Sequence, residues 1–81
     1  MDDATIHRVI NDLSSEEELL WQGAADGQGL STAAEARLQA IKVELDRAYD
    51  LLHQREARRA AGLDPDEAVP RPADTVEHYQ Q

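Results

Sequence analysis

The residues best suited to bind a metal in this sequence are a carboxylate and a histidine on one predicted helix. Asp50 and His53 are three residues apart, the spacing at which helices of carboxylate-bridged di-iron bundles present two ligands. Two copies of this pair, joined by Glu16 or Glu17 from another helix, would complete such a set. The heptad pattern of the helix, however, places Asp50 and His53 on the side that faces away from a partner helix. We therefore predict no metal site and no cofactor, because ligands must converge on an ion.

Residues for nucleophilic or acid–base catalysis have little support from their surroundings. The chain contains no cysteine, and its serines occupy positions typical of loops, helix caps and surfaces. Three histidines, His7, His53 and His78, carry groups that transfer protons near neutral pH. A hairpin of two helices offers no cleft in which a substrate would meet them. We therefore expect no enzymatic activity.

An arginine cluster is the most informative charged feature of the sequence. Arg55, Arg58 and Arg59 are three of the eight basic residues and lie near the end of a predicted helix. Cations are favourable there because the helix dipole is negative at its C-terminus, and we expect ion pairs with residues 2–3 or with the acidic residues of 64–67. The alternative is a site for an anion or an acidic partner, because a guanidinium group binds carboxylate or phosphate through two hydrogen bonds.

The first element that positions these groups is a predicted helix from residue 4 to about 25. Its apolar residues recur at the spacing of an amphipathic helix, and either Asp2 or Asp3 suits the N-cap position. The apolar positions are Ile6, Val9, Ile10, Leu13, Leu20 and Ala24. Three glycines between residues 23 and 30 then break the helix. A connection this short requires that the next helix be an antiparallel neighbour.

The second predicted helix runs from residue 33 to about 61, with Gly62 in the position that commonly ends a helix. Thr32 as N-cap with Glu35 would form a capping box, and Ser31 is the alternative cap. Its apolar residues follow a heptad repeat typical of coiled coils. They are Leu38, Leu45 and Leu52 at one position of the repeat, with Ala34, Ile41 and Ala48 at the other. The pattern predicts an all-α, coiled-coil-like hairpin in residues 1–62.

Apolar residues outside this repeat predict self-association. Trp21, Tyr49 and Leu51, together with Leu19, widen the apolar surface beyond what one partner helix can cover. A domain of 81 residues without disulfides also has little core of its own. We expect a homo-oligomer, most simply two hairpins packed into a four-helix bundle.

The tail, residues 63–81, contains all three prolines of the chain. Residues 64–68 predict a short helical turn with Asp64 as its cap and Pro65 in the first position. The backbone beyond is expected to be extended because two further prolines follow. Val69, Val76 and Tyr79 should then lie back on the helices. With the tail included, the predicted interaction residues are Trp21, Tyr49, Leu51, Arg55, Arg58, Arg59 and Tyr79.

Composition narrows the range of partners. The net charge is −9, from 17 acidic and 8 basic residues, and an acidic surface repels nucleic acids and anionic lipids. No apolar run approaches the roughly 20 residues of a membrane span, and the first residues lack the pattern of a signal peptide. We expect a cytoplasmic protein that binds neither nucleic acid nor membrane.

One long stretch of the sequence resembles a known family. Residues 43–59 read VELDRAYDLLHQREARR, and the tail adds Asp64-Pro65-Asp66-Glu67-Ala68, Arg71-Pro72, Val76-Glu77 and Tyr79. Together they are similar to a family of small actinobacterial proteins catalogued only as a domain of unknown function. Tyr49 stands where a tryptophan is expected in relatives, and His53 and Glu56 stand where arginines are common. The resemblance implies a helical hairpin and assigns no activity, cofactor or catalytic residue.

Two functions therefore remain open from the sequence. The first is a self-associating module for protein interaction or assembly, which presents its tail or its arginine end to another protein. The second is a regulator that binds a small ligand, an anion or a metal at an oligomer interface. The two differ in their response to ligands, because a ligand that binds only the native state raises the melting temperature.

Overall fold

The protein is a hairpin of two antiparallel helices followed by a short turn. A computed structural model describes residues 1–24 and 29–74. Helix α1 spans Asp3–Ala24, helix α2 spans Thr32–Ala60, and a 3₁₀ turn spans Pro65–Glu67. The predicted all-α hairpin and C-terminal tail are confirmed, and each end of the two helices lies within one residue of its predicted position.

Both helices begin at a side chain that caps the first turn. The Asp2 carboxylate accepts a hydrogen bond of 2.8 Å from the Thr5 amide. Hydrogen bonding by the Thr5 side chain, and then by its amide, lowers the pKa of Asp2. The Ser31 hydroxyl accepts a bond of 3.0 Å from the Ala34 amide. Ser31, the alternative cap in the sequence analysis, is therefore the N-cap of α2. The predicted capping box that starts at Thr32 is wrong because Thr32 is already the first helical residue.

Gly62 ends α2 and reverses the chain, as its position in the sequence predicts. Its φ of 75° lies in the left-handed region, which glycine adopts without the steric cost that a Cβ brings. Beyond it, the Leu63 amide donates a hydrogen bond of 2.8 Å to the Arg58 carbonyl. The tail consequently turns back along α2 instead of continuing away from it.

The core is small and lies where the two helices and the turn meet. Its buried residues are Ile6 and Ile10 of α1 with Ala48, Leu51 and Leu52 of α2, and the partly buried Leu45 and Ala68 pack against them. Ile41 is also fully buried. The core thus uses the stripe of α1 and the heptad positions of α2 that the sequence predicts, with one addition, Leu51.

Leu51 corrects a prediction, because the sequence places it on a surface for self-association. Its side chain is only 3% exposed and belongs to the core cluster. Ala68 packs against the same cluster, so the returning tail adds cover that a hairpin of two helices lacks. Leu51 is therefore not available to a second molecule while the tail is in place.

The tail is held through its backbone, whereas one of its predicted anchors is not buried. Val69 is 65% exposed, so the expectation that its side chain packs on the helices is wrong. Val76 and Tyr79 lie outside the described residues. Within the described ranges, neither α1 nor α2 is both long and apolar enough to cross a membrane.

Candidate interaction surfaces

Arg55 joins three parts of the chain at one end of the hairpin. Its guanidinium donates to the carboxylate of Asp3 at the start of α1. It also donates to the Asp66 carboxylate at 3.0 Å and to the Pro65 carbonyl at 3.1 Å. Arg55 is 5% exposed, so the sequence-based placement of this residue on an open surface is wrong. It is buried because the tail and the start of α1 close over it.

The two other arginines of the cluster are paired as the sequence predicts. Arg59 binds Asp3 at 2.8 Å. Arg58 binds Glu67 at 2.7 Å and donates to the Asp64 carbonyl at 2.6 Å. Hydrogen bonds from Arg55 and then Arg59 lower the pKa of Asp3. The expected pairing with the acidic start of the chain and the acidic turn is confirmed, and an external anion would have to displace these carboxylates.

A row of side chains on α2 receives the returning tail. Arg47, Leu51, Gln54 and Arg58 are spaced by four, three and four residues and so share one side of the helix. We call these four residues the tail groove. Arg47 donates to the Arg71 carbonyl at 3.0 Å, and Gln54 donates to the Val69 carbonyl at 3.0 Å. The tail therefore runs antiparallel to α2 along this side.

Asp50, the carboxylate considered for a metal, is engaged by protein groups. It accepts a hydrogen bond of 3.0 Å from Gln54 and forms an ion pair of 3.2 Å with Arg71. His53 is exposed. Among the described residues, no three histidine, aspartate or glutamate side chains are grouped so that they could hold a metal ion.

The opposite side of α2 carries a second row of side chains, which is mostly apolar and contains one lysine. Leu38, Lys42, Leu45 and Tyr49 repeat the spacing of four, three and four residues, and Trp21 of α1 lies beside Leu38 and Lys42 of this row. We call these five residues the open flank. Trp21 is 54% and Tyr49 is 45% exposed. A hollow of about 300 Å³ beside Trp21 is lined by Leu30, Leu38, Lys42, Glu17, Glu35 and Gln39.

The remaining predicted surface residues are placed apart from this flank or outside the described residues. Leu19 is 66% exposed, but it lies two residues before Trp21, and such residues point to different sides of a helix. It adjoins a separate hollow with Leu20 and Leu30. Tyr79 falls among the residues that the structure does not describe.

Sequence reasoning missed one contact that ties the two helices together. Glu16 and Arg37 form an ion pair in which the second hydrogen bond, from Nη2 to Oε1, is 2.7 Å. This interaction lowers the pKa of Glu16. From the sequence alone, Glu16 is considered only as a possible metal ligand. The antiparallel register that pairs Asp3 with Arg55 places Glu16 opposite Lys42, more than one helical turn from Arg37, so the register alone gave no signal for this pair.

Comparison with known proteins identifies the family of the chain. A family model described as "Protein of unknown function (DUF2630)" matches residues 2–81. This chain belongs to the DUF2630 family. The match includes α1, and it confirms the resemblance that the second helix and the tail indicate.

Similar proteins come from mycobacteria. Uncharacterized proteins of Mycobacterium bovis and Mycobacterium tuberculosis are 46% identical to this chain over 70 residues, which cover 86% of this chain and 80% of theirs. No solved structure is significantly similar to the chain. Neither the family description nor the relatives' names specify an activity, a ligand or a partner.

Proposed function

We propose that the protein is a non-enzymatic assembly module that forms a homodimer through its open flank. The observation that carries this proposal is the exposure of Trp21 and Tyr49 on this flank, with the half-buried Leu38 lining the hollow beside Trp21. Two such flanks packed face to face would make a four-helix bundle, in which each hairpin supplies the second layer that the other lacks.

The asymmetry between the two sides of α2 supports this choice of surface. On one side the tail covers Leu51 and supplies bonding partners for Arg47 and Gln54. Among the described residues, no corresponding segment lies over Tyr49 or Trp21. Tryptophan and tyrosine are enriched in protein interfaces, so two such side chains exposed on the uncovered side favour a contact there.

The charges around the open flank favour a second copy as the partner. Lys42 lies in the middle of the row, and Glu17 and Glu35 line the same hollow. A twofold axis brings each residue of a patch onto the matching patch of the partner. Lys42 of one chain can therefore meet a glutamate of the other, so the interface is self-complementary in charge despite the net charge of −9.

Sedimentation velocity at micromolar concentration tests the proposal. We expect the native chain to sediment at twice the mass of its 9.0 kDa monomer. The double variant Trp21→Glu, Tyr49→Glu should sediment as a folded monomer, because it places four charges in the interface. Leu19→Glu is the matched control, since Leu19 is also exposed but lies on another side of α1. A monomeric native chain, or equal dissociation by the control, would contradict the proposal.

A second candidate function rests on the hollow beside Trp21. The indole ring and Lys42 border a space of about 300 Å³, a volume at the lower end of the range for small-ligand pockets. A dimer formed through the open flank would enclose this space. In this alternative the protein is a regulator that binds a small ligand at its oligomer interface. A thermal-shift screen of metabolites tests it: a specific ligand should raise the melting temperature, and Lys42→Ala should abolish that rise.

A further inference from the structure

The described part of the tail, residues 63–74, rests on α2 mainly through polar groups, and we call it the strap. Four side chains of α2 donate to its carbonyl oxygens at distances of 2.6 to 3.1 Å. The donors are Arg47, Gln54, Arg55 and Arg58. Ala68 packs against the core cluster, whereas Leu63 and Val69 are more than half exposed. The strap therefore covers the core while it buries little apolar surface of its own.

The polar contacts of the strap are individually weak. Its ion pairs are Asp66 with Arg55, Glu67 with Arg58, and Arg71 with Asp50. The Asp66 and Glu67 side chains are mostly exposed to water, and ion pairs in such positions contribute little to stability. Each carbonyl of the strap also exchanges its protein donor for water when the strap lifts. A segment with few buried apolar contacts opens at a lower free energy than the domain as a whole.

The two helices are joined by contacts that do not involve the strap. Glu16 pairs with Arg37 near the connection, and Asp3 pairs with Arg59 at the other end of the hairpin. Between these pairs, the isoleucines of α1 pack against α2 in the core cluster. These contacts persist when the strap lifts, so its opening leaves the hairpin paired.

Gly62 provides the point about which the strap can turn. It lies between α2 and the strap with a φ of 75°, and glycine moves between positive and negative φ without the steric cost of a Cβ. Hinges in proteins are commonly a few residues at the ends of elements, where the change in backbone angles is absorbed. The strap thus has a hinge at the place where it leaves the helix.

We propose that the strap is a conformational switch, which opens about Gly62 while the two helices stay paired. In the closed state it covers Leu51 and Arg55, both of which are buried. In the open state Arg55 loses the Asp66 carboxylate and the Pro65 carbonyl and keeps its bond to α1. Opening also exposes Leu51 in the middle of the tail groove. The open protein therefore presents an apolar side chain flanked by guanidinium groups, a surface that the closed protein hides.

This switch does not depend on the proposed dimer. The strap and the tail groove share no residue with the open flank, because Leu51 and Tyr49 are two residues apart and point to different sides of α2. A chain that remains a monomer would still open and close its strap.

Amide hydrogen exchange of the full chain, measured by NMR at increasing urea below the unfolding transition, tests the switch. The Glu67 and Ala68 amides donate to carbonyls within the turn and report the strap. The Leu45 and Ala48 amides lie within α2 and report the hairpin. We expect the strap amides to be at least about tenfold less protected than the hairpin amides. Their exchange should also depend less on urea, because opening of the strap exposes little surface.

Ile41→Val separates a local opening from unfolding of the whole chain. It shortens a fully buried side chain of the hairpin, so the protection of the Leu45 and Ala48 amides should fall by about two- to twelvefold. The Glu67 and Ala68 amides should keep their protection, because the strap opens without breaking the hairpin. If the strap opened only when the hairpin unfolds, both sets of amides would lose protection by the same factor.

A second variant checks that these amides report the contacts of the strap. Asp66→Asn with Glu67→Gln removes both charges at nearly constant size and should lower the protection of the Ala68 amide by about three- to thirtyfold. Glu56→Gln is the matched control, because Glu56 is an exposed acid on α2, and it should leave this protection unchanged.

Three results would overturn the inference. One is an equal loss of protection in the strap and the hairpin on Ile41→Val, and another is an equal dependence of the two sets of amides on urea from the lowest concentration upward. The third is exchange of the Glu67 and Ala68 amides as fast as in an unstructured peptide, because the closed state would then not be populated.

Discussion

At the scale of single residues, Arg55 shows how a surface-like sequence position becomes a structural centre. The sequence predicts that its charge pairs with the acids at 2–3 or 64–67, and it does. The burial of Arg55 could not be predicted from the sequence, because it requires two distant segments to close over the side chain together. One segment contains Asp3, 52 residues away, and the other contains Asp66, 11 residues away. Removal of the Arg55 charge would leave Asp3 and Asp66 without their hydrogen bonds from this side chain. Asp3 would keep its ion pair with Arg59.

Acid should destabilise the protein through Asp3. The pKa of Asp3 is lowered from its ordinary 3.8 by hydrogen bonds from Arg55 and Arg59, so the folded state binds this proton less readily than the unfolded state. The resulting stabilisation is complete above pH 3.8 and is lost as the pH falls below it. Urea unfolding between pH 6 and pH 2.5 should show this loss, and Asp3→Asn should remove part of the pH dependence.

Asp12→Asn is the matched control for this titration. Asp12 is an exposed residue of the same helix, and it forms no ion pair in the described part of the chain. The control should follow the native pH dependence. An Asp3→Asn curve that also runs parallel to the native curve would rule out the proposed role of the Asp3 carboxylate.

At the scale of elements, local signals predicted the helices well and their partners less well. The glycines of the connection, the stripe of α1 and Gly62 each act through nearest neighbours, so sequence alone reveals them. Two adjacent hydroxyl residues left the N-cap of α2 ambiguous, because Ser31 and Thr32 have similar capping preferences. The assignment of Leu51 to an interface failed for a different reason: a heptad pattern describes contacts between helices and contains no information about a returning tail.

Ser31→Ala should lower the stability of the protein by about 1 kcal/mol, the usual contribution of an N-cap side chain. The substitution removes the hydroxyl that accepts the Ala34 amide and leaves that donor to water. Chemical denaturation followed by circular dichroism measures the change.

Thr32→Ala provides the comparison, because Thr32 occupies the first helical position and does not cap. It should change the free energy of unfolding by no more than about 0.5 kcal/mol, as for ordinary surface substitutions. A larger loss from Thr32→Ala than from Ser31→Ala would reverse the cap assignment.

At the scale of the whole molecule, the hairpin has two sides with different roles. The tail closes one side of α2 and completes the core, and the open flank leaves Trp21 and Tyr49 exposed on the other. The core itself contains few fully buried side chains, of which Ile6 and Ile41 are the largest. Stability in so small a domain therefore depends on each contact of this core and on the cover that the tail provides.

Ile41→Ala should cost about 2–4 kcal/mol, because it removes methyl and methylene groups from a fully buried site and leaves a cavity. Denaturant unfolding measures this loss. Val43→Ala is a suitable comparison, since Val43 lies two residues further along α2 on another side of the helix, is only half-buried and should lose clearly less. Equal losses at the two positions would contradict the assignment of Ile41 to the core.

Removal of the tail should destabilise the hairpin, because the tail covers part of its core. A chain that ends at Gly62 exposes Leu51, whose burial is worth about 1.5–3 kcal/mol, and loses the Arg58–Glu67 pair, which contributes about 0–1 kcal/mol. For a domain of this size the sum corresponds to a fall in melting temperature of roughly 6–30 °C. A second chain that ends at Asp74 is the control, because the difference between the two truncations isolates residues 63–74. Thermal unfolding of both, followed at 222 nm, gives that difference directly. Equal melting temperatures would mean that the backbone hydrogen bonds from Arg47 and Gln54 to the tail hold it in place without stabilising the helices beneath it.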